Sequence, residues 1–138
     1  MQRRSPIEIV QAWQDAASSR DFERLLDLSD QNIGVIGPRG SGYGHELVRE
    51  WLLRSGLTFK TLRLFARGDV VVVEQHGIWH SPETGEPTSE ADFASHFRVE
   101  AGRVTHVARY ESLDVALERA GLSYKDEVSS ESQNASQT

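Results

Sequence analysis

The order of the predicted elements constrains this chain more than any other feature of its sequence. Two short amphipathic helices come first, followed by one strand, a third helix and a run of four strands. The corners between the later strands contain glycine, which permits tight turns. A run of strands after helices predicts an α+β fold in which a curved sheet wraps over the helices. Such a sheet has a concave side, and the order therefore predicts a cavity.

The helix ends carry the clearest local signals. Ser5 can cap a first helix that starts at Pro6, and Glu8 completes a capping box. Asp21 can cap a second, shorter helix, and Gly56 is expected to stop the third. The third helix is predicted over about 45–54 and a fourth over about 113–120.

Five strands are predicted from side-chain alternation and β-branched residues, at about 33–36, 58–66, 70–80, 91–99 and 104–112. The segment 37–44 is expected to be a loop, because it is rich in glycine and contains a proline. The tripeptide Arg67-Gly68-Asp69 is expected to be a hairpin corner rather than an adhesion motif.

Composition indicates one soluble, cytoplasmic domain over residues 1–122 and a disordered polar tail over 123–138. The net charge of -6 argues against a nucleic-acid partner. No apolar run has the length of a membrane span, and we expect no membrane contact. Cysteine is absent, which excludes disulfides, thiolate metal sites and a cysteine nucleophile.

The turn between the last two strands decides which side chains face the cavity. A three-residue loop at 100–102 places Phe93 opposite Arg109. A two-residue turn at 101–102 places Phe93 opposite Tyr110. A shift of one residue moves every side chain of one strand to the other face, and the residues alone leave both turns open.

Three stretches resemble a known family in their order and spacing. These are Ala16-Ala17-Ser18-Ser19-Arg20-Asp21-Phe22, Tyr43-Gly44-His45-Glu46, and Glu100-Ala101-Gly102-Arg103-Val104 followed by Tyr110. Over about residues 5–121 the chain resembles the nuclear transport factor 2-like superfamily, and within it the SnoaL-like (polyketide cyclase-like) group. The resemblance implies a cone-shaped, curved mixed or antiparallel β-sheet barrel packed on three N-terminal helices, plus a short C-terminal helix. It also implies a cavity between the concave face and the first helix, and a homodimer through the convex sheet face.

The resemblance does not settle the reaction, because the family includes ketosteroid isomerases, epoxide hydrolases and polyketide cyclases. Limonene-epoxide hydrolases carry an Arg-x-Asp pair where this chain has Gln75 and Gly77, and an aspartate where it has Arg109. The comparison favours the three-residue loop. It turns five side chains inward: Gln75, Trp79, Phe93, Phe97 and Arg109.

Arg109 is the predicted polar anchor and Glu111 the predicted base. Arg109 would hold a carboxylate or enolate oxygen through its fork of donors, and the alternative is an internal salt bridge. Glu111 would act as a general base if burial raised its pKa, and the alternative is a strand end in water.

Six further residues are predicted to bind the ligand: Trp13, Tyr43, Gln75, Trp79, Phe93 and Phe97. The aromatic side chains would line an apolar pocket that stacks a ring-bearing molecule, and Tyr43 would donate a hydrogen bond at its mouth. The alternatives are a plain core and, for Tyr43, an exposed surface position.

The histidines predict no metal site. His76 and His80 would lie about 13 Å apart along one strand. His96 and His106 are expected to be cross-strand neighbours on the outer face, but two imidazoles without a third ligand bind metal weakly. We therefore expect no metal and no cofactor. A further hypothesis puts this pair in a dimer interface, where protonation near pH 6 would cause repulsion.

The sequence thus predicts a protein that binds a small apolar or ring-bearing organic molecule in an apolar cavity, with Arg109 as its polar anchor. Proton-transfer chemistry of the isomerase or hydrolase type stays open, as does the question of whether the protein is an enzyme. The alternative is a non-catalytic dimerisation or ligand-binding module whose cavity is filled by its own side chains.

Overall fold

The computed structural model describes residues 5–37 and 40–128, and it confirms the predicted α+β class. The helices are α1 Pro6–Ser18, α2 Phe22–Asp27, α3 His45–Ser55 and α4 Leu113–Ala120. The strands are β1 Ser29–Gly37, β2 Gly40–Tyr43, β3 Leu57–Arg67, β4 Val70–His80, β5 Pro87–Glu100 and β6 Arg103–Tyr110. A 3-10 helix at Tyr124–Asp126 follows. None of these described helices is long and apolar enough to cross a membrane.

The strands form one curved, mixed sheet in the order β2-β1-β6-β5-β4-β3. Strands β1 and β6 run parallel, and the other neighbouring pairs are antiparallel. The inner face, which α1 covers, carries Val73, Phe97 and Val107. The outer face carries Val72, against which α4 packs through Leu117. Helices therefore lie on both sides of the sheet.

The local capping signals form as predicted. Glu8 N donates to Ser5 Oγ at 3.2 Å and Ser5 N donates to Glu8 Oε1 at 3.1 Å, which completes the capping box of α1. Arg24 N donates to Asp21 Oδ1 at 3.3 Å at the start of α2. Gly56 ends α3 in the left-handed conformation, with a φ of 58°.

Trp13 fastens α1 to the rest of the core. Its Nε1 donates to Ser29 Oγ at 2.9 Å, and that hydroxyl donates to the Leu25 carbonyl at 2.8 Å. Its ring meets Phe97 edge to face, with 5.4 Å between ring centroids. Because the indole N–H has a partner, the ring is buried without leaving a donor unpaired.

The β5–β6 hairpin has the two-residue turn. Glu100 pairs with Arg103, so the turn consists of Ala101 and Gly102. Both have positive φ, 53° and 78°, as a type I′ turn requires. One extra residue, Thr105, then interrupts β6, and the register shifts by one more position.

The extra residue at Thr105 is a β-bulge. It returns the side chains of β6 beyond it to the faces that the three-residue loop had predicted. The predicted loop and the predicted pairing of Phe93 with Arg109 are wrong, because Arg109 pairs with Ser95. The observed pairing nevertheless differs from the predicted one by two residues, and a shift of two leaves every side chain on its predicted face. Phe93, Phe97 and Arg109 therefore share the inner face, as expected.

The predicted loop at 37–44 is wrong over residues 40–43. These residues form β2, which pairs antiparallel with β1. Strand β1 begins at Ser29, earlier than predicted, and its outer edge would otherwise carry unpaired backbone groups. A short added strand satisfies them.

The predicted disordered tail starts too early. Residues 123–128 form the 3-10 helix and then reach β3, where Val128 N donates to the Leu64 carbonyl at 2.7 Å. Arg63 also pairs with Glu127 at 2.8 Å. The rest of the predicted tail, 129–138, lies outside the described residues.

The turn geometry predicts that Ala101→Asn stabilises the protein. Alanine at a φ of 53° is strained, whereas asparagine tolerates this region and is favoured before glycine in type I′ turns. We expect urea denaturation to show a free energy of unfolding higher by about 0.5–1 kcal/mol.

The matched control is Ala91→Asn, at an exposed position of strand β5. Asparagine is disfavoured in strands, so this change should leave the free energy of unfolding equal or lower. A destabilised Ala101→Asn variant would contradict the two-residue turn.

Candidate functional site

Arg109 lies at the centre of an aromatic cluster on the inner face. Its guanidinium carbon is 5.3 Å from the ring centroid of Phe93, 5.6 Å from Trp79 and 5.8 Å from Trp51. These are cation–π distances, and they stabilise a positive charge that is half-buried. Trp51 comes from α3 and was not among the residues predicted for the site.

Gly77 makes room for the cluster. A Cβ atom at this position would lie 2.4 Å from Phe93 Cε1 and 3.0 Å from Leu57 Cδ1. The Phe93 ring therefore occupies the space that a side chain at position 77 would need.

Gln75 is the buried polar residue beside this wall. It pairs with Phe93 across β4 and β5, and only 1% of it is exposed. Ser95 Oγ donates to Gln75 Oε1 at 2.7 Å. Ser95 in turn lies opposite Arg109, so hydrogen-bonding groups and rings alternate on the inner face.

The other predicted site residues lie elsewhere. Trp13 and Phe97 are packed against each other in the core. Tyr43 is 79% exposed and lies opposite Gly34, on the same face as His106, so it is not at an inner-face mouth. Glu111 follows the end of β6 and is exposed.

Two clefts open near α1 and α2. The first, the α1–β3 cleft, has a volume of about 340 Å³ and is lined by Gln11, Ala12, Gln14, Asp15, Ser18, Phe59 and Thr61. The second, the α2–β1 groove, has a volume of about 520 Å³ and is lined by Leu26, Asp27, Ser29, Asp30, Gln31, Asn32, His45 and Arg103.

His96 and His106 are neighbours on the outer face, as predicted. Their ring centroids are 5.1 Å apart. Burial, together with repulsion from His106 and Arg98, lowers the pKa of His96 to about 4. The pKa of His106 is also lowered, mainly by burial. The expected protonation near pH 6 is therefore wrong, because His96 titrates well below that pH.

His76 has the opposite environment. Its Nδ1 lies 2.6 Å from Asp92 Oδ1, and this hydrogen bond raises the pKa of the imidazole. Glu90 lies 3.7 Å from the other ring nitrogen. Within residues 5–37 and 40–128, no group of three or more histidine, aspartate or glutamate side chains is arranged to hold a metal ion.

The fold has close structural relatives at low sequence identity. An NTF2-like protein of unknown function from Cytophaga hutchinsonii superposes with a TM-score of 0.68 at 16% identity, over 80% of this chain and 91% of the other. TerC, co-crystallised with polyporic acid, gives 0.66 at 22%, over 84% and 98%. A putative polyketide cyclase from Xanthomonas campestris pv. campestris gives 0.65 at 21%, over 84% and 94%. These likenesses define the class as an NTF2-like fold.

The sequence profile of the SnoaL-like domain matches residues 10–107. The chain therefore belongs to the SnoaL-like domain family, as its sequence resemblance implied. No protein with a curated description matches it.

The environment of His96 predicts a pH-dependent stability. Its folded pKa, about 4, lies below the ordinary value of 6.5, so the unfolded chain binds more protons between these two values. We expect the free energy of unfolding to fall as pH is lowered through this window. Replacing His96→Phe should flatten that part of the curve, measured by urea denaturation at pH 4–8.

The contrasting variant is His76→Ala. Because the pKa of His76 is raised, its contribution is present at low pH and is lost as pH rises through the folded pKa. Its removal should therefore not flatten the decline that His96 causes. If the pH dependence of the free energy of unfolding is the same in His96→Phe as in wild type, the claim that His96 is buried in its neutral form is contradicted.

Proposed function

We propose that this protein binds a small, ring-bearing organic anion on the inner face of its sheet, at the Arg109 cluster. The observation that carries the proposal is the guanidinium held 5.3–5.8 Å from three aromatic rings. Rings that pack on a guanidinium plane fix its orientation, while its N–H donors lie within that plane. Carboxylates and enolates match this planar fork.

The aromatic side chains supply the apolar part of the site. Phe93 meets Trp79 with 5.8 Å between centroids and Phe59 with 6.3 Å. This row extends from the Arg109 cluster towards the α1–β3 cleft, which Phe59 also lines. Indole and phenyl walls favour a ligand with a planar ring. The structural relative TerC, crystallised with polyporic acid, supports this ligand class by analogy of fold.

Binding is proposed without a reaction. Ser95 lies opposite Arg109 and is hydrogen-bonded to Gln75, and an amide and a hydroxyl do not act as bases near neutral pH unless another group activates them. Glu111, the predicted base, is exposed beyond the strand end. A ligand-binding role therefore fits these side chains better than proton transfer.

The second candidate is a non-catalytic module with a filled cavity. Trp13 and Phe97, which the sequence placed in the ligand site, occupy the core and pack edge to face. In the central part of the sheet, that packing favours a filled cavity. A homodimer through the outer face stays a prediction, although α4 already covers part of that face.

The test is benzoate and 2-naphthoate binding followed by NMR of the indole N–H signals. Wild type should show shifts at Trp51 and Trp79 that saturate. Arg109→Lys keeps the charge but loses the fork, so we expect at least about tenfold weaker binding, and Arg109→Ala should weaken it further. Arg119→Ala, at an exposed position of α4, is the matched control and should bind both carboxylates as wild type does.

Two results would overturn the proposal. One is an Arg109→Ala protein that binds both carboxylates as tightly as wild type. The other is a wild type whose indole signals do not move with either compound, which would leave the filled module as the better account.

A further inference from the structure

Gln14 is a buried polar residue in a part of α1 where burial is otherwise apolar. Only 7% of it is exposed, and its inward-facing neighbours on the helix include Val10, Trp13 and Ala17. Within the part of the chain that the structure describes, its Nε2 has no hydrogen-bond partner. A buried amide without a partner is destabilising, and a leucine of similar size would avoid that cost.

The unpaired amide belongs to the wall of the α1–β3 cleft, whose volume is about 340 Å³. That space accommodates a single-ring molecule. Nε2 itself is buried in the structure, and a rotation about the last torsion of the side chain would be needed to present it to the cleft. The cleft and the unpaired donor are independent observations, and the donor indicates a missing acceptor.

The rest of the cleft has a definite polarity. Asp15 is exposed at its rim and supplies a carboxylate acceptor. Ser18 Oγ accepts a hydrogen bond from Phe59 N at 2.9 Å, which ties the end of α1 to β3 and leaves the hydroxyl proton to donate. Phe59 supplies a half-buried ring face. The cleft thus combines an inner donor, a rim acceptor and an aromatic wall.

We propose that the α1–β3 cleft binds a neutral aryl carboxamide, whose carbonyl oxygen accepts from Gln14 Nε2, whose N–H donates to Asp15 and whose ring packs on Phe59. The ligand carbonyl gives the unpaired Gln14 Nε2 donor an acceptor. A primary amide offers both an acceptor and donors on one planar group, which matches the two ends of the cleft.

This site goes beyond the function proposed for Arg109 and selects a ligand of different charge. The Arg109 cluster favours a carboxylate. In the cleft, the Asp15 carboxylate repels an anion and accepts from an amide N–H. The two sites share one contact, between the rings of Phe59 and Phe93, with 6.3 Å between centroids. Benzamide and benzoate, which differ little in shape, therefore separate the two proposals.

The experiment titrates the full chain with benzamide and follows the side-chain amide signals by NMR. Wild type should show saturable shifts of the Gln14 amide. Gln14→Leu should weaken benzamide binding at least tenfold while the urea midpoint of the free protein stays equal or rises, because an unpaired donor has been removed. Gln31→Leu makes the same chemical change at an exposed position of β1. It is the control and should not alter benzamide affinity.

Arg109→Ala separates the two sites. It should lose benzoate binding and keep benzamide binding, so loss of the anion site does not remove the amide site. Absence of benzamide shifts in wild type would overturn the proposal, as would a Gln14→Leu protein that binds benzamide normally. A large drop in the urea midpoint of Gln14→Leu would also overturn it, because the amide would then have a structural partner.

Discussion

Side chains alternate between the two faces of a strand, so the register in which β5 and β6 pair decides whether Arg109 shares the inner face with Phe97. Two irregularities intervene, the turn at Ala101 and the extra residue at Thr105. Each one alone would send Arg109 to the opposite face from Phe97. Together they keep it on the inner face. With the two-residue turn that the hairpin has, the extra residue at Thr105 is what keeps Arg109 within reach of the aromatic cluster.

Two polar side chains of different kinds lie on the inner side of the sheet, Arg109 on β6 and Gln14 on the covering helix α1. Arg109 has its charge stabilised by three rings, which compensate in part for the water that burial removes. Gln14 has no such compensation within the described chain. The first is a charged group in a packed setting, and the second is a neutral donor beside open space. Phe59 and Phe93 connect the two.

The sequence predicted well whatever depends on a few neighbouring residues. The capping box of Ser5 and Glu8 and the left-handed end at Gly56 follow from local backbone chemistry, and the structure contains both. The short strand β2 was missed, because a glycine-rich segment becomes a strand only when a partner edge is available.

The candidate site was predicted less completely than the fold. Trp79, Phe93 and Arg109 do meet, since they share one face of adjacent strands. Trp51 joins them from a helix that is distant in sequence, and no spacing rule indicates such a contact. Tyr43 was placed by its loop context, and that context changed once its segment became β2. Bulges and added edges are set by tertiary pairing, and one short sequence stretch does not encode them.

The segment that follows α4 has a consequence for how the molecule behaves among its own copies. β3 is the last strand of the sheet, and the exposed Leu62 lies on it. Glu127 bridges to Phe65 and Val128 N binds the Leu64 carbonyl, so part of this free edge is already occupied. A chain cut after Leu122 would present an unpaired ribbon that another molecule could extend. Residues 123–128 therefore reduce the free edge of β3 that strand addition by another copy would need.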